Sequence, residues 1–102
     1  MNALGIIEVS GMVAAYEAID AMVKVADVTV LTWEKKLGGR LVSIVVQGDI
    51  SSVHAAIAHG ETIANQITKT VATALINNPH EEVIKIIKES ASKYAFSNQE
   101  LT

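Results

Sequence analysis

The chain has 102 residues, half of them apolar, 19% charged and 4% aromatic, with a net charge of −3 and no cysteine. That length is enough for one domain with a modest core. The missing cysteines exclude disulfide and thiolate–metal chemistry, and the acidic balance with few aromatics argues against a nucleic-acid partner. The apolar content exceeds the needs of one small core, which points to apolar residues on the surface or against another copy of the chain.

The opening Met1 to Gly5 lacks the basic region and long apolar run of a secretory signal. No apolar run approaches the length of a membrane span. A cytosolic chain without membrane contact is therefore expected.

Leu4 to Val9 is a short apolar run with Glu8 inside it, and it predicts a first strand. Ser10 and Gly11 suit a helix start, Ser10 through an oxygen that can accept from an orphan amide. From Ala15, the positions Ala15, Ala18 or Ile19, Met22, Val23 and Ala26 recur at helical spacing, with Glu17, Asp20 and Lys24 largely on the other face. Val28 to Trp33 is rich in β-branched residues and reads as a second strand. Lys35 to Arg40 contains Gly38-Gly39 and leads into a third strand, Leu41 to Val46, so a hairpin is expected.

Asp49, Ser51 and Ser52 offer capping oxygens for a second helix whose apolar face runs Val53, Ala56 or Ile57, Gly60, Ile63 or Ala64, and Ile67. Glycine inside that pattern costs about 1 kcal/mol relative to alanine, which points to close packing at Gly60. Thr70 to Ile76 is a fourth strand, broken by Asn77-Asn78-Pro79. Pro79 fits the first turn of a last helix, with Glu81 and Glu82 complementing its dipole. Val83 or Ile84, Ile87, Ala91 and Tyr94 give that helix an apolar face, and the polar tail 97–102 is expected to fray beyond a single domain of residues 1–96. The fold class is α+β, a ferredoxin-like βαββαβ sandwich with an added C-terminal helix.

That fold hosts many functions. An RNA-binding sheet needs exposed aromatics and a basic field, which a single Phe96 and a single Trp33 do not supply. A dimeric regulatory domain binding a small metabolite stays open as the alternative. A self-assembling unit matches the apolar surplus and the thin chemical inventory best. His54 and His59 are five apart on a predicted helix and make a poor metal pair. His80-Glu81-Glu82 starts like a zinc-protease motif, but no second histidine follows. No nucleophile elbow, phosphate-binding glycine pattern or clustered carboxylate pair is present, so neither an enzyme nor a bound cofactor or metal is expected.

Several segments carry a resemblance together. Ala3-Leu4-Gly5-Ile6-Ile7-Glu8 with Gly11, then Ala18 through Ala26, resembles the opening of the hexamer-forming shell proteins of bacterial microcompartments. Leu37-Gly38-Gly39 and Gly48-Asp49-Ile50 are similar to that family's middle, and Ile76-Asn77-Asn78-Pro79-His80 to the segment that closes its domain. The matches run in order from residue 3 to residue 80, and Asp20 to Lys24 is the most specific.

The resemblance implies a cyclic hexamer with a central pore, tiling edge to edge into the facets of a shell that passes small metabolites. The implied partners are other copies of the chain and other shell proteins. It places Lys36, Leu37, Gly38, Gly39 and Arg40 at the pore, where glycines would let six backbones approach closely and offer amide donors. Six copies of Lys36 or Arg40 would form a positive collar there. Read without the resemblance, the glycine pair is a tight turn. It also implies that Lys24, Asn78 and His80 serve the contact between hexamers, with Lys24 packed antiparallel to its two-fold mate; read alone, Lys24 is a solvated helix lysine. The sequence departs from the family where Asn78 and Gln47 stand in place of arginines and Arg40 in place of a glycine.

Overall fold

The computed structural model describes residues 3–100. The side chains at 37, 71 and 92–100 lie outside the described set, and with them the expected core position of Tyr94; residues 101 and 102 of the polar tail lie outside it too. The elements follow the order β1 (Ala3–Val9), α1 (Met12–Val25), β2 (Thr29–Lys36), a short 3-10 turn (Leu37–Gly39), β3 (Leu41–Gly48), α2 (Ile50–Asn65), β4 (Thr70–Asn77) and α3 (Glu81–Glu100). The four strands form one antiparallel sheet in the order β2-β3-β1-β4. This is the ferredoxin-like arrangement with an added helix, as expected from the alternation of short β-rich runs and helical periodicity.

The alternation along β1 assigns the two faces of the sheet. Ala3, Ile7 and Val9 join Val42, Ile44 and Val46 of β3 in a core closed by Ala14, Ala15, Ala18 and Met22 of α1 and by Val53, Ala56, Ile57 and Ala64 of α2. Burying one side chain the size of Ile7 or Met22 stabilises the fold by roughly 1.5–3 kcal/mol. Small residues dominate the facing sides of α1 and α2, so the helices approach closely. At Gly60 an added Cβ would stand 2.8 Å from Met22 Cγ, which accounts for the glycine within the apolar pattern.

The opposite face carries Leu4 and Val45, both buried, and Thr32, which pairs in register with Val45. α3 packs against β2 and covers this second face at that edge. Val83, Ile84, Ile87 and Ala91 of α3 are half-buried, while Ile86 is exposed. No helix among the described residues is long and apolar enough to cross a membrane.

Three local expectations are corrected. The N-cap of α1 is Gly11 at φ 96°, without a side-chain cap; the Ser10 carbonyl instead accepts the Thr68 hydroxyl at 2.9 Å, tying the helix start to the chain between α2 and β4. Ile67 is not on the face of α2, because the helix ends at Asn65 and the Ile67 and Thr68 amides fold back onto the Ala64 carbonyl, leaving Ile67 exposed. Pro79 is not in the first turn of α3. Asn78 takes the left-handed conformation at φ 55°, which re-aims the chain, and α3 starts only at Glu81. Asn is one of the few residues that tolerates that region.

Candidate assembly surfaces

The register fixes where each candidate residue falls. Ala3 pairs with Gly48 on one side and Asn77 on the other, which makes one end row of the sheet. The chain leaving α1 passes beside this row, since a Cβ on Gly48 would meet the Asp27 carbonyl oxygen at 3.0 Å. Lys24, near the end of α1, and Asn78 and His80, just after β4, therefore gather at this end. The opposite end row is Lys35–Val42–Val9–Thr70, and the turn Leu37–Gly39 projects past it. The rows lie six residues apart along β1, about 20 Å at ~3.3 Å per residue. Two separate surfaces result, one at each end.

Two glycines set the path of the turn. Gly38 sits at φ 68° and Gly39 at φ 92°, conformations that side-chain-bearing residues rarely adopt. β2 runs three residues further than expected, so Lys35 and Lys36 belong to the strand and stand exposed at its end. Gly38 and Arg40 are exposed, whereas Gly39 backs onto α1, where its added Cβ would be 3.5 Å from Met12 Cγ. The side chain of Leu37 lies outside the described residues.

At the other end, Lys24 Nζ contacts Asp20 Oδ2 at 2.8 Å, one helical turn back, with both side chains exposed. The hydrogen bond that Lys24 donates to Asp20, and then the charge of Asp20, raise the Lys24 pKa above the usual lysine range. Val23 and Val25 flank it and are also exposed. Asn78 is exposed, and His80 caps α3, its Nδ1 accepting the Glu82 amide hydrogen at 3.0 Å while its carbonyl accepts from Val83 and Ile84. Gln47 is half-buried in β3 between Leu4 and Thr29.

Two grooves border these elements. One, about 360 Å³, lies between α1 and α2 and is lined by Glu17, Asp20, Ala21, Lys24, Val25, His59 and Ile63. The other, about 330 Å³, lies between α2 and the edge strand β4 and is lined by His54, Ile57, Ala58, Glu61, Thr73, Ala74 and Leu75. His54 and His59 thus line different grooves. Among the described residues no group of three or more His, Asp or Glu is arranged to hold a metal ion.

Sequence reasoning missed three features. The Asp20–Lys24 pair was readable from its i,i+4 spacing. The hydrogen bond from Ser43 Oγ to Glu8 Oε2 at 2.8 Å needed the strand register to be known. The capping role of His80 carried no signal, because histidine is not among the residues favoured at that position.

The BMC domain family matches residues 3–79. The bacterial microcompartment shell protein PduA of Salmonella typhimurium is 41% identical over 92 residues, covering 90% of this chain and 97% of that protein. The carboxysome shell protein CcmK2 of Thermosynechococcus vestitus is 42% identical over 83 residues, covering 79% of this chain and 80% of that one. The crystal structure of a microcompartments protein from Desulfitobacterium hafniense DCB superposes with a TM-score of 0.77 at 26% identity, covering 88% of this chain and 48% of that one. This chain therefore spans about half the length of that solved protein. PduA and CcmK2 are structural shell proteins rather than enzymes, and the chain belongs to the BMC domain family of bacterial microcompartment shell proteins.

Proposed function

We propose that the protein is a facet component of a cytoplasmic bacterial microcompartment shell, closing into cyclic hexamers that tile edge to edge and pass small metabolites through a central pore. The observation that carries this reading is 41% identity to the shell protein PduA over nearly the whole length of both chains. Two physical features support it. A cyclic ring needs a heterologous contact between two different surfaces of the same chain. The sheet offers unlike edges for this: β2 ends in Glu34-Lys35-Lys36, whereas β4, Thr70 to Asn77, contains no charged residue and no proline. A bare edge strand of that kind calls for a cover.

The 36–40 turn lies at the far end from Lys24, Asn78 and His80, which suits one end facing the six-fold axis and the other the hexamer rim. At the axis Gly38 and Gly39 bring backbone amides close without side-chain bulk, and Lys36 and Arg40 favour anionic or strongly polar permeants. At the rim Lys24 extends a long aliphatic stem and an ammonium toward a two-fold mate. Other shell proteins presenting the same rim chemistry would mix into the same facet.

Electron microscopy of the concentrated protein tests the reading. Hexagonal arrays are expected for the native chain, and Lys24→Ala should keep the ring-sized particle while losing extended arrays. Arrays of undiminished extent from Lys24→Ala would remove Lys24 from the rim.

A further inference from the structure

The rim contact assigned to Lys24 contains an electrostatic problem that the lone protomer already answers. An isologous contact brings each Lys24 beside its own mate. Two ammonium groups then approach one another while the exposed Val23 and Val25 on either side are covered and water is withdrawn. An ammonium that loses water without a partner charge is strongly unfavourable, and the repulsion between the two rises as the surroundings become less polar.

Asp20 lies one turn toward the N-terminus of α1, with Oδ2 at 2.8 Å from Lys24 Nζ. Acid before base at this spacing is the favourable order on a helix. The two side chains are 55% and 73% exposed, so the pair sits outside the core and at the surface a neighbour would cover. Both line the groove between α1 and α2, whose apolar lining is Ala21, Val25 and Ile63. The pair engages one of the three ammonium donors and leaves the other two for acceptors on the opposing copy. Glu17, one turn further back, adds a smaller attraction, and His59 faces the same groove from α2.

We propose that Asp20 is the built-in counter-charge of the rim: it enters the two-fold contact together with Lys24, neutralises each ammonium as water leaves, and sets its direction. This rests on the rim assignment of Lys24. Asp20 is a positioning residue, and a second copy of the chain is the partner.

Asp20→Asn keeps the size and hydrogen-bonding capacity of the side chain and removes only the charge. Ring mass should be unchanged. At about 50 mM salt the concentration at which sheets appear should rise by roughly three- to tenfold. Asp20→Glu should stay close to the native chain, and Asp20→Asn should add no further loss on top of Lys24→Ala. Native-like sheets from Asp20→Asn at low salt, with Lys24→Ala impaired, would overturn the counter-charge role alone. An Asp20→Glu variant as impaired as Asp20→Asn would overturn it too, because that substitution keeps the charge. Native-like sheets from Lys24→Ala would instead overturn the rim assignment beneath it.

Discussion

Asp49 accepts the Ser52 amide hydrogen on Oδ1 at 2.8 Å and the Ser52 hydroxyl on Oδ2 at 3.2 Å, and so fixes the first turn of α2. The Ser52 amide, followed by its hydroxyl, holds the Asp49 carboxyl below the usual carboxylate range. Its affinity for a proton is therefore lower folded than unfolded, so the cap contributes stability above the ordinary carboxylate range and loses it as pH falls through the lowered value. Asp49→Asn should flatten that part of the acid limb in thermal melts taken across pH, because an amide can still accept but no longer titrates. The Lys24 shift has the opposite sign. Its pairing with Asp20 is present below the ordinary lysine range and is lost as pH rises through the raised value. An unchanged acid limb in Asp49→Asn would mean that other carboxylates govern it.

At the scale of elements, α1 and α2 pack as closely as Gly60 allows. Gly60→Leu drives into Met22, a fully buried side chain, and should destabilise by roughly 1–3 kcal/mol in urea titrations. Met22→Ala alone should cost about 2–5 kcal/mol through its cavity. Combining the two should cost less than their sum, because the added leucine fills the space that Met22 leaves. Gly60 was visible in the sequence as a glycine inside a helical apolar stripe, and the structure supplies the methionine it answers to.

The strands and most of the core stripes of α1 and α2 were legible for the same reason, since apolar periodicity records which face is covered, although Val23 of the α1 stripe is exposed. What covers the second face was not. Leu4, Thr32 and Val45 are buried on the side away from α1 and α2, and nothing in a strand pattern says that a third helix lies there. Pro79 and Ile67 were misplaced because local preferences describe a helix in isolation, whereas Asn78 and the Ala64 carbonyl redirect the backbone just outside it. The resemblance named the candidate residues in two groups, the 36–40 turn and the set Lys24, Asn78 and His80. Their division between two ends of the sheet, about 20 Å apart at ~3.3 Å per residue, emerged only from the strand register.

At the scale of the whole molecule, the apolar surplus of the composition appears as exposed side chains: Val13 and Tyr16 on α1, Ile50 on α2, Leu75 on β4 and Ile86 on α3. Leu75 is the most telling, because it lines the groove beside α2 on an edge strand that carries no charge. Leu75→Lys places a charge on that edge at a side chain that is 41% exposed. The expected outcome is a folded protomer with native-like circular dichroism that no longer associates. Association unaffected by that change would move the ring contact to another edge.

Closure into a ring is the claim on which pore, rim and shell all depend, and the solution mass tests it most directly. Six chains of 10.8 kDa correspond to about 65 kDa under closed cyclic symmetry. Light scattering after size exclusion should return that mass at low concentration, with larger sheets appearing as concentration rises. A dimer that persists unchanged on concentration would contradict the account, leaving the 36–40 turn without an axis to face and Lys24 without a rim.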